Sequence, residues 1–586
     1  MAEPSRRRRP GTRARPVFLA ALALAACGEG EGPVGAPGGR DGVQLRYVAP
    51  RLQVVPVGEA ARVTLSFRVR RVEGDGEPEP WAGATFEVRR EKGTARVPVD
   101  RVATDADGIA TVVLMTSGAV DRTTIEFVLE GDRRQHLPFD VVTAPTRELE
   151  LAPGTVEDID PTKTGVLLRL RVEPGERVAL VPYQLDPRRG GVAYRFLHQG
   201  AGLDPGAVAF GADPPAVPGT RPQVVTRDRG HVVAGAIEPG PLEPAAAIPR
   251  AVNVNSCKVN AFREAPLRYL GESVALYVDA PPDQWQARID SIGRAFDERI
   301  MPTNTELFGP TTDMDGNGVV LVVLTPELQG FGGVYCDSLR TIGVEIFYAL
   351  WTEREPLGTV LSSLAHEHQH LINAGHHLRT RGGIGDERWL NEGLSFAAEG
   401  LNGYWRNSLG RVWHFLSGQN GGRSMLPFEY DLAYADKYQM FVLYLGDRFG
   451  RGVYHRLGTS GRLGASNVQH VTGLPFDSLV RDWMVASAVS GRVGFDDPRY
   501  RYSTVDLGGM AEEIAACGCL PKPRLQGMSL ETLSLGASFD VFRAMEGYDA
   551  DYYALVPAEG DRDRTYEIYF DAFGRPAVRL AAARLP

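Results

Sequence analysis

The stretch HEHQHLINAGHH, residues 366–377, holds five of the chain's 11 histidines. It sits in a run with apolar Val360, Leu361, Leu364, Ala365, Leu371 and Ile372, opened by Pro356 and Gly358-Thr359. That spacing is the period of a buried helix with a marked start. On a helix, His366 and His370 stand one turn apart on a shared face. Two imidazoles so placed can meet one Zn2+ at about 2.0–2.1 Å. Glu367 lies about 60° around from His370. It is badly placed to be a ligand but can reach a water beside the metal, which is where a general base belongs. His368 points to roughly the opposite face and reads as a packing histidine.

A catalytic zinc takes three protein ligands, so two histidines leave it one short. His376 is one candidate. HEHQHLINAGH fits the metzincin pattern HExxHxxGxxH with Asn373 in place of the glycine. Asparagine is the next-best residue for the left-handed turn that swings the third histidine back. Glu392 is the other, in WLNEGLSFAAE, residues 389–399. That block resembles the WLNEGFAxxxE block of the aminopeptidase N family and the NExxS block of thermolysin, both gluzincins. In them the glutamate of NE is the third zinc ligand, about twenty residues beyond the second histidine; here 21 residues separate His370 from Glu392. The resemblance therefore implies the ligand set His366, His370 and Glu392, with His376 and His377 as loop residues near the cleft. Glu399, on the same helical face as Glu392, could brace a ligand histidine or be a surface carboxylate.

The widest resemblance is to hyicolysin-like neutral zinc metallopeptidases, over about residues 266–505. FDERIMPTNTELFG, DMDGNGVVLVVLT, AYADKYQMFVLYLGDRFG and FDSLVRDWMVAS carry it beside the zinc motifs. It implies an α+β, thermolysin-like domain that hydrolyses peptide bonds, with Glu367 as base. Gluzincins also use a tyrosine or histidine from the following helical lobe to steady the oxyanion. Tyr434, Tyr438 and Tyr444 are available, and alignment with the family block selects Tyr434. No GxMEN-like block is present to bind a free amino terminus, which favours an endopeptidase.

Asp313, Asp315 and Asn317 in DMDGNG stand at calcium-loop spacing. An EF-hand loop needs glutamate at its twelfth position, where this chain has Leu324. The stretch reads either as a Ca2+ loop or as a turn before a strand.

Outward from the motif, the chain reads as several domains. Residues 1–26 combine a basic segment with a short apolar run, too short to span a bilayer, and form an expected signal peptide. Leu24-Ala25-Ala26-Cys27 resembles the lipobox of bacterial lipoproteins, which implies a lipid on Cys27 and attachment to a membrane. Gly28, where aspartate is absent, resembles the outer-membrane sorting pattern, so the expected place is the cell envelope, at the outer membrane or cell surface. Residues 27–42 read as a glycine-rich tether. Residues 43–145 alternate with period two, and TDADGIA resembles immunoglobulin-like modules of the invasin type. Residues 146–265 read as a further β-rich domain or lead-in. RYLGESVALYVDA reads as one strand, and DQWQARIDSIGRAFDERIMP as a helix ending at its proline. Residues 506–586 return to strand alternation and read as a small β domain.

Loss of residues 1–26 takes six arginines and one glutamate from a chain of formal charge −9, leaving −14. An acidic surface argues against a nucleic-acid partner and leaves a protein or peptide substrate. Export favours disulfides among Cys257, Cys336, Cys517 and Cys519. Cys517 and Cys519 are too close to bridge each other easily, so each is expected to pair with Cys257 or Cys336. A reading from another class is a surface adhesin with a lapsed peptidase fold. The intact Glu367 speaks against it, since a scaffold has no chemical need for that residue.

Overall fold

The structure is a computed structural model that describes residues 42–199, 247–417, 435–512 and 528–585, less short interruptions within them. The expected signal peptide, Cys27, Tyr434, Cys257, Cys517 and Cys519 lie outside the described residues. The molecule is multidomain, with a β-rich N-terminal part and an α+β part.

Strands between Gly42 and Ala144 form two sheets of four and five strands. Their inward faces supply Phe67, Phe86, Phe127 and Phe139, all fully buried. Residues along Ile109–Met115 alternate between buried and more exposed, as in a strand with one face on the core.

Residues 146–265 and 506–586 were expected as separate β units, and the chain joins them. Val166–Val172 pairs antiparallel with Arg564–Asp571, and Val192–His198 with Phe539–Met545. Arg177–Gln184 lies between Val578–Leu585 and Tyr553–Val556. One two-sheet sandwich results, built from the two stretches of chain that flank the central sheet and the helices. Arg177–Gln184 is buried along nearly its whole length. Its alternate residues feed two cores: Val178 and Leu180 the sandwich interior, Ala179, Val181 and Tyr183 the helical lobe.

The central sheet runs in the order Ala251–Asn255, Asn260–Leu270, Val274–Val278, Val320–Thr325, Ile346–Leu350, Gly333–Val334. It begins before residue 266, the expected boundary. RYLGESVALYVDA is two antiparallel strands, because Gly271-Glu272-Ser273 turns the chain between them. The three strands Val274–Val278, Val320–Thr325 and Ile346–Leu350 are parallel. Gly333–Val334 closes one edge antiparallel.

The helices are α1 (Gln286–Ala295), α2 (Met301–Phe308), α3 (Ser338–Ile342), α4 (Leu357–Arg381), α5 (Arg388–Leu401), α6 (Trp405–Leu416), α7 (Ala435–Phe449), α8 (Gly452–Thr459), α9 (Gly464–Thr472) and α10 (Phe476–Val489). The expected stop at Pro302 does not occur. A π-helical turn at Phe296–Ile300 joins α1 to α2. It absorbs the missing proline N–H and the ring clash at the start of α2. Helix α4 packs Leu361, Leu364, Ala365 and Leu371 on the sheet, while Ile372 faces the lobe of α5 to α10.

Candidate metal centre

Helix α4 carries the whole HEHQHLINAGHH stretch without a break. It ends at Gly382, whose φ of 61° is the left-handed conformation that a helix stop favours. Asn373 therefore does not turn the chain. Its amide donates to Oδ1 of Asn391 on α5 at 3.1 Å. Ten residues of helix put His376 about 15 Å along the axis from His366. His376 and His377 were expected in a loop, and both are buried in the helix. His376 stacks edge-on against His455 of α8, with ring centroids 5.8 Å apart. The arrangement does not bring His376 to the histidine pair.

Glu392 does reach that pair. Nε2 of His366 and Nε2 of His370 are 3.1 Å apart. Oε2 of Glu392 lies 3.5 Å from the first and 3.7 Å from the second. A tetrahedral zinc with bonds near 2.0–2.1 Å has ligand atoms about 3.3 Å apart. The three atoms form a group of that size, suited to a metal ion. On its other side α5 packs closely on α7, and Gly393 leaves no room there for a side chain. A Cβ there would stand 2.9 Å from Val442 and 3.0 Å from the Tyr438 carbonyl on α7.

The partners of each imidazole settle which nitrogen faces the centre. Nδ1 of His366 lies 3.0 Å from Oε1 of Glu399, a carboxylate that can only accept. Nδ1 of His370 lies 3.0 Å from Oγ of Ser395, whose hydroxyl proton goes to Oε1 of Gln369 at 2.5 Å. Both Nδ1 atoms therefore carry hydrogens, and both Nε2 lone pairs point at the centre. Two such lone pairs 3.1 Å apart repel unless a cation lies between them. Without a metal, that cation is a proton. Burial opposes a charge on His366, but hydrogen bonds with Glu392 and Glu399 outweigh it and push its pKa up to about 10. Burial likewise opposes ionisation of Glu392, and the two histidines hold it well below the ordinary carboxylate range. The donor set suits zinc.

Glu399, left open between brace and surface group, is buried. It accepts from Ser362 Oγ at 2.9 Å and from Arg411 of α6 at 2.5 Å. Burial raises its pKa, but Arg411 and His366 prevail and hold it down to about 2. Arg411 also lies over the Phe396 ring, 4.3 Å from its centroid, and that ring meets His366 edge-on.

Glu367 projects the other way, toward the sheet edge. It is buried, and desolvation raises its pKa above the ordinary carboxylate value despite the nearby histidines. The Tyr335 backbone N–H donates to it. Gly333 adjoins it so closely that a Cβ would fall 2.6 Å from Glu367 Cγ and 2.8 Å from Oε1. His368 is fully buried on the opposite face, between Asn304 and Thr311. Of the three candidate tyrosines, Tyr438 and Tyr444 are buried in the lobe. Tyr444 donates to the Arg499 carbonyl at 2.8 Å. Cys336 is disulfide-bonded.

Sequence reasoning assigned no part to Ser395, Arg411 or Gly333. Ser395 stands three residues after Glu392 in the quoted block, the spacing of one helical face, and that signal was readable. Arg411 comes from a different helix, and nothing in its local sequence marks it.

No family model matches the chain. Over 161 residues it is 30% identical to the neutral metalloprotease ShpI of Staphylococcus hyicus, taking in 24% of this chain and 36% of that protein. The chain thus spans about a third of that relative's length. Among solved structures, the secreted serine protease VesC of Vibrio cholerae gives a TM-score of 0.14 at 10% identity, over 26% of this chain and 39% of that one. A Salmonella alpha-2-macroglobulin mutant gives 0.14 at 9% identity, over 93% of this chain and 31% of that one. Scores of that size carry no argument.

Proposed function

We propose that the chain is a zinc-dependent endopeptidase of the gluzincin kind, held at the cell surface by a lipid on Cys27. The observation that carries the reading is the meeting of His366, His370 and Glu392 within one metal's reach, with Glu367 in electrostatic contact with all three. A zinc ion bound there would polarise a water molecule and the scissile carbonyl.

The chain's own residues supply the rest. Among the described residues, Gly333–Val334 is an edge strand with no strand paired on its outer side. An extended peptide adding to that edge brings its backbone past Glu367. Glu367 removes the water's proton and returns it to the leaving amine; its burial lifts its pKa toward the range where it can do both. Glu399 and Ser395 keep both imidazoles in the tautomer that leaves Nε2 unprotonated. Tyr434, which precedes α7, is the proposed donor to the oxyanion. Its support is the family block alone.

Glu367→Gln tests the reading. The variant is expected to keep its metal and lose casein hydrolysis, and retained activity removes Glu367 from the base role. A surface adhesin would show neither casein hydrolysis nor dependence on Glu367. For the anchor, Cys27→Ala is expected to move the protein from the membrane fraction to the medium.

A further inference from the structure

The DMDGNG loop lacks the glutamate that its calcium-like spacing calls for at Leu324, and the fold brings one from elsewhere. Glu345, just before strand Ile346–Leu350, reaches Asp313 and Asp315; one carboxylate oxygen from each lies within 4.8 Å of the others. Glu345 is 2% exposed. Its Oε1 accepts from Thr312 Oγ1 at 3.1 Å and the Met314 N–H at 2.9 Å. Its Oε2 is buried with no hydrogen-bond partner among the described residues. A buried carboxylate oxygen with no partner is costly to ionise unless something positive meets it. Nearby, the Asp315 carboxylate accepts from the Asn317 side chain at 2.8 Å, and Asp313 accepts from the Gly318 N–H at 3.3 Å. The turn is thus already shaped before any ion binds.

We propose that Asp313, Asp315 and Glu345 form a calcium site that fastens the 309–319 loop to the central sheet behind the zinc helix. Three carboxylates are hard oxygen donors of high charge, and one is rigid and two lie on a turn. That favours the larger, adaptable Ca2+ over Mg2+, and suits zinc less, since zinc prefers nitrogen and sulfur donors. The loop it would fasten touches α4 directly. Thr311 Oγ1 lies 2.8 Å from Nε2 of His368, midway between the two ligand histidines. Thr312 packs where a Cβ on Gly375 would stand, 2.5 Å from that ideal position. Glu345 also belongs to the chain that leads into Ile346–Leu350, the strand bearing the edge beside Glu367. Calcium would thus brace the back of α4 and the sheet edge together. This inference stands apart from the peptidase reading.

The test is calcium binding by the full chain, exchanged into calcium-free buffer with its zinc retained. Equilibrium dialysis with CaCl2 is expected to give one strong site, with Kd of order 10⁻⁵–10⁻³ M. The melting temperature should rise by several degrees at saturation, and less with equal MgCl2. Glu345→Gln is expected to weaken binding by at least tenfold and to abolish most of that rise. Asp313→Asn, on the exposed side of the turn, covers the case in which Glu345→Gln fails to fold, and should weaken binding by about tenfold. Glu392→Gln should leave calcium binding unchanged, which separates this site from the zinc group. Absence of calcium binding up to 10-fold above that Kd range, binding unaffected by both loop-site variants, or an equal rise with magnesium overturns the proposal.

Discussion

Oε1 of Glu399 sits 3.0 Å from Nδ1 of His366, seven residues beyond Glu392 on the same helix. Helix α5 thus supplies both the third member of the group, a carboxylate, and the partner that braces His366 on α4. Glu399→Ala removes that brace and leaves Arg411 without its carboxylate. Zinc affinity is expected to fall about 10- to 100-fold, as for other partners that orient a metal-binding histidine. Competition with a chromogenic chelator measures it. Unchanged affinity makes Glu399 a packing residue only.

Gly333 faces Glu367 with no room for a side chain. Gly333→Val should push either the carboxylate or the edge strand aside. Activity on casein is expected to fall about 100-fold, the cost of a shift near 1 Å, with zinc content unchanged. A fully active variant contradicts the placement of substrate along this edge.

Burial lowers the pKa of His377 to about 3 and of His376 to about 4. Each is depressed below its unfolded value near 6.5, so folding holds them neutral. Their contribution to stability is complete above pH 6.5 and is lost as pH falls below it. The expected slope is about 1.4 kcal/mol per pH unit for each histidine that stays neutral. Glu399, held down to about 2, contributes only at lower pH, but His368, lowered to about 3, and Asp549, raised to about 6 by burial, act in the same window, so the difference between the parent chain and a histidine variant is what reports on one histidine. His377→Leu should flatten the fall of melting temperature in that window. An unchanged slope means that His377 takes up its proton in the folded state.

Helix α4 and its pair His366 and His370 were legible because the histidines, Glu367 and the apolar stripe all follow the helical period within one segment. Glu392 was legible because its block has its own recognisable spacing. The extent of α4 was not. Asn373 permits a turn, but its amide bonds Asn391 on α5 and the stop falls at Gly382. The split sandwich was hidden for a different reason. Val166–Val172 and Arg564–Asp571 alternate alike whether they pair with each other or with near neighbours. Glu345 and Arg411 were missed because each acts across space from another element. Their neighbours in sequence carry no trace of it.

The most direct test of the account is the zinc content of three proteins side by side: the unaltered chain, Glu392→Ala and His376→Ala. One zinc per chain is expected in the first and the third, and little in the second. Zinc lost from His376→Ala but kept by Glu392→Ala contradicts the centre described here.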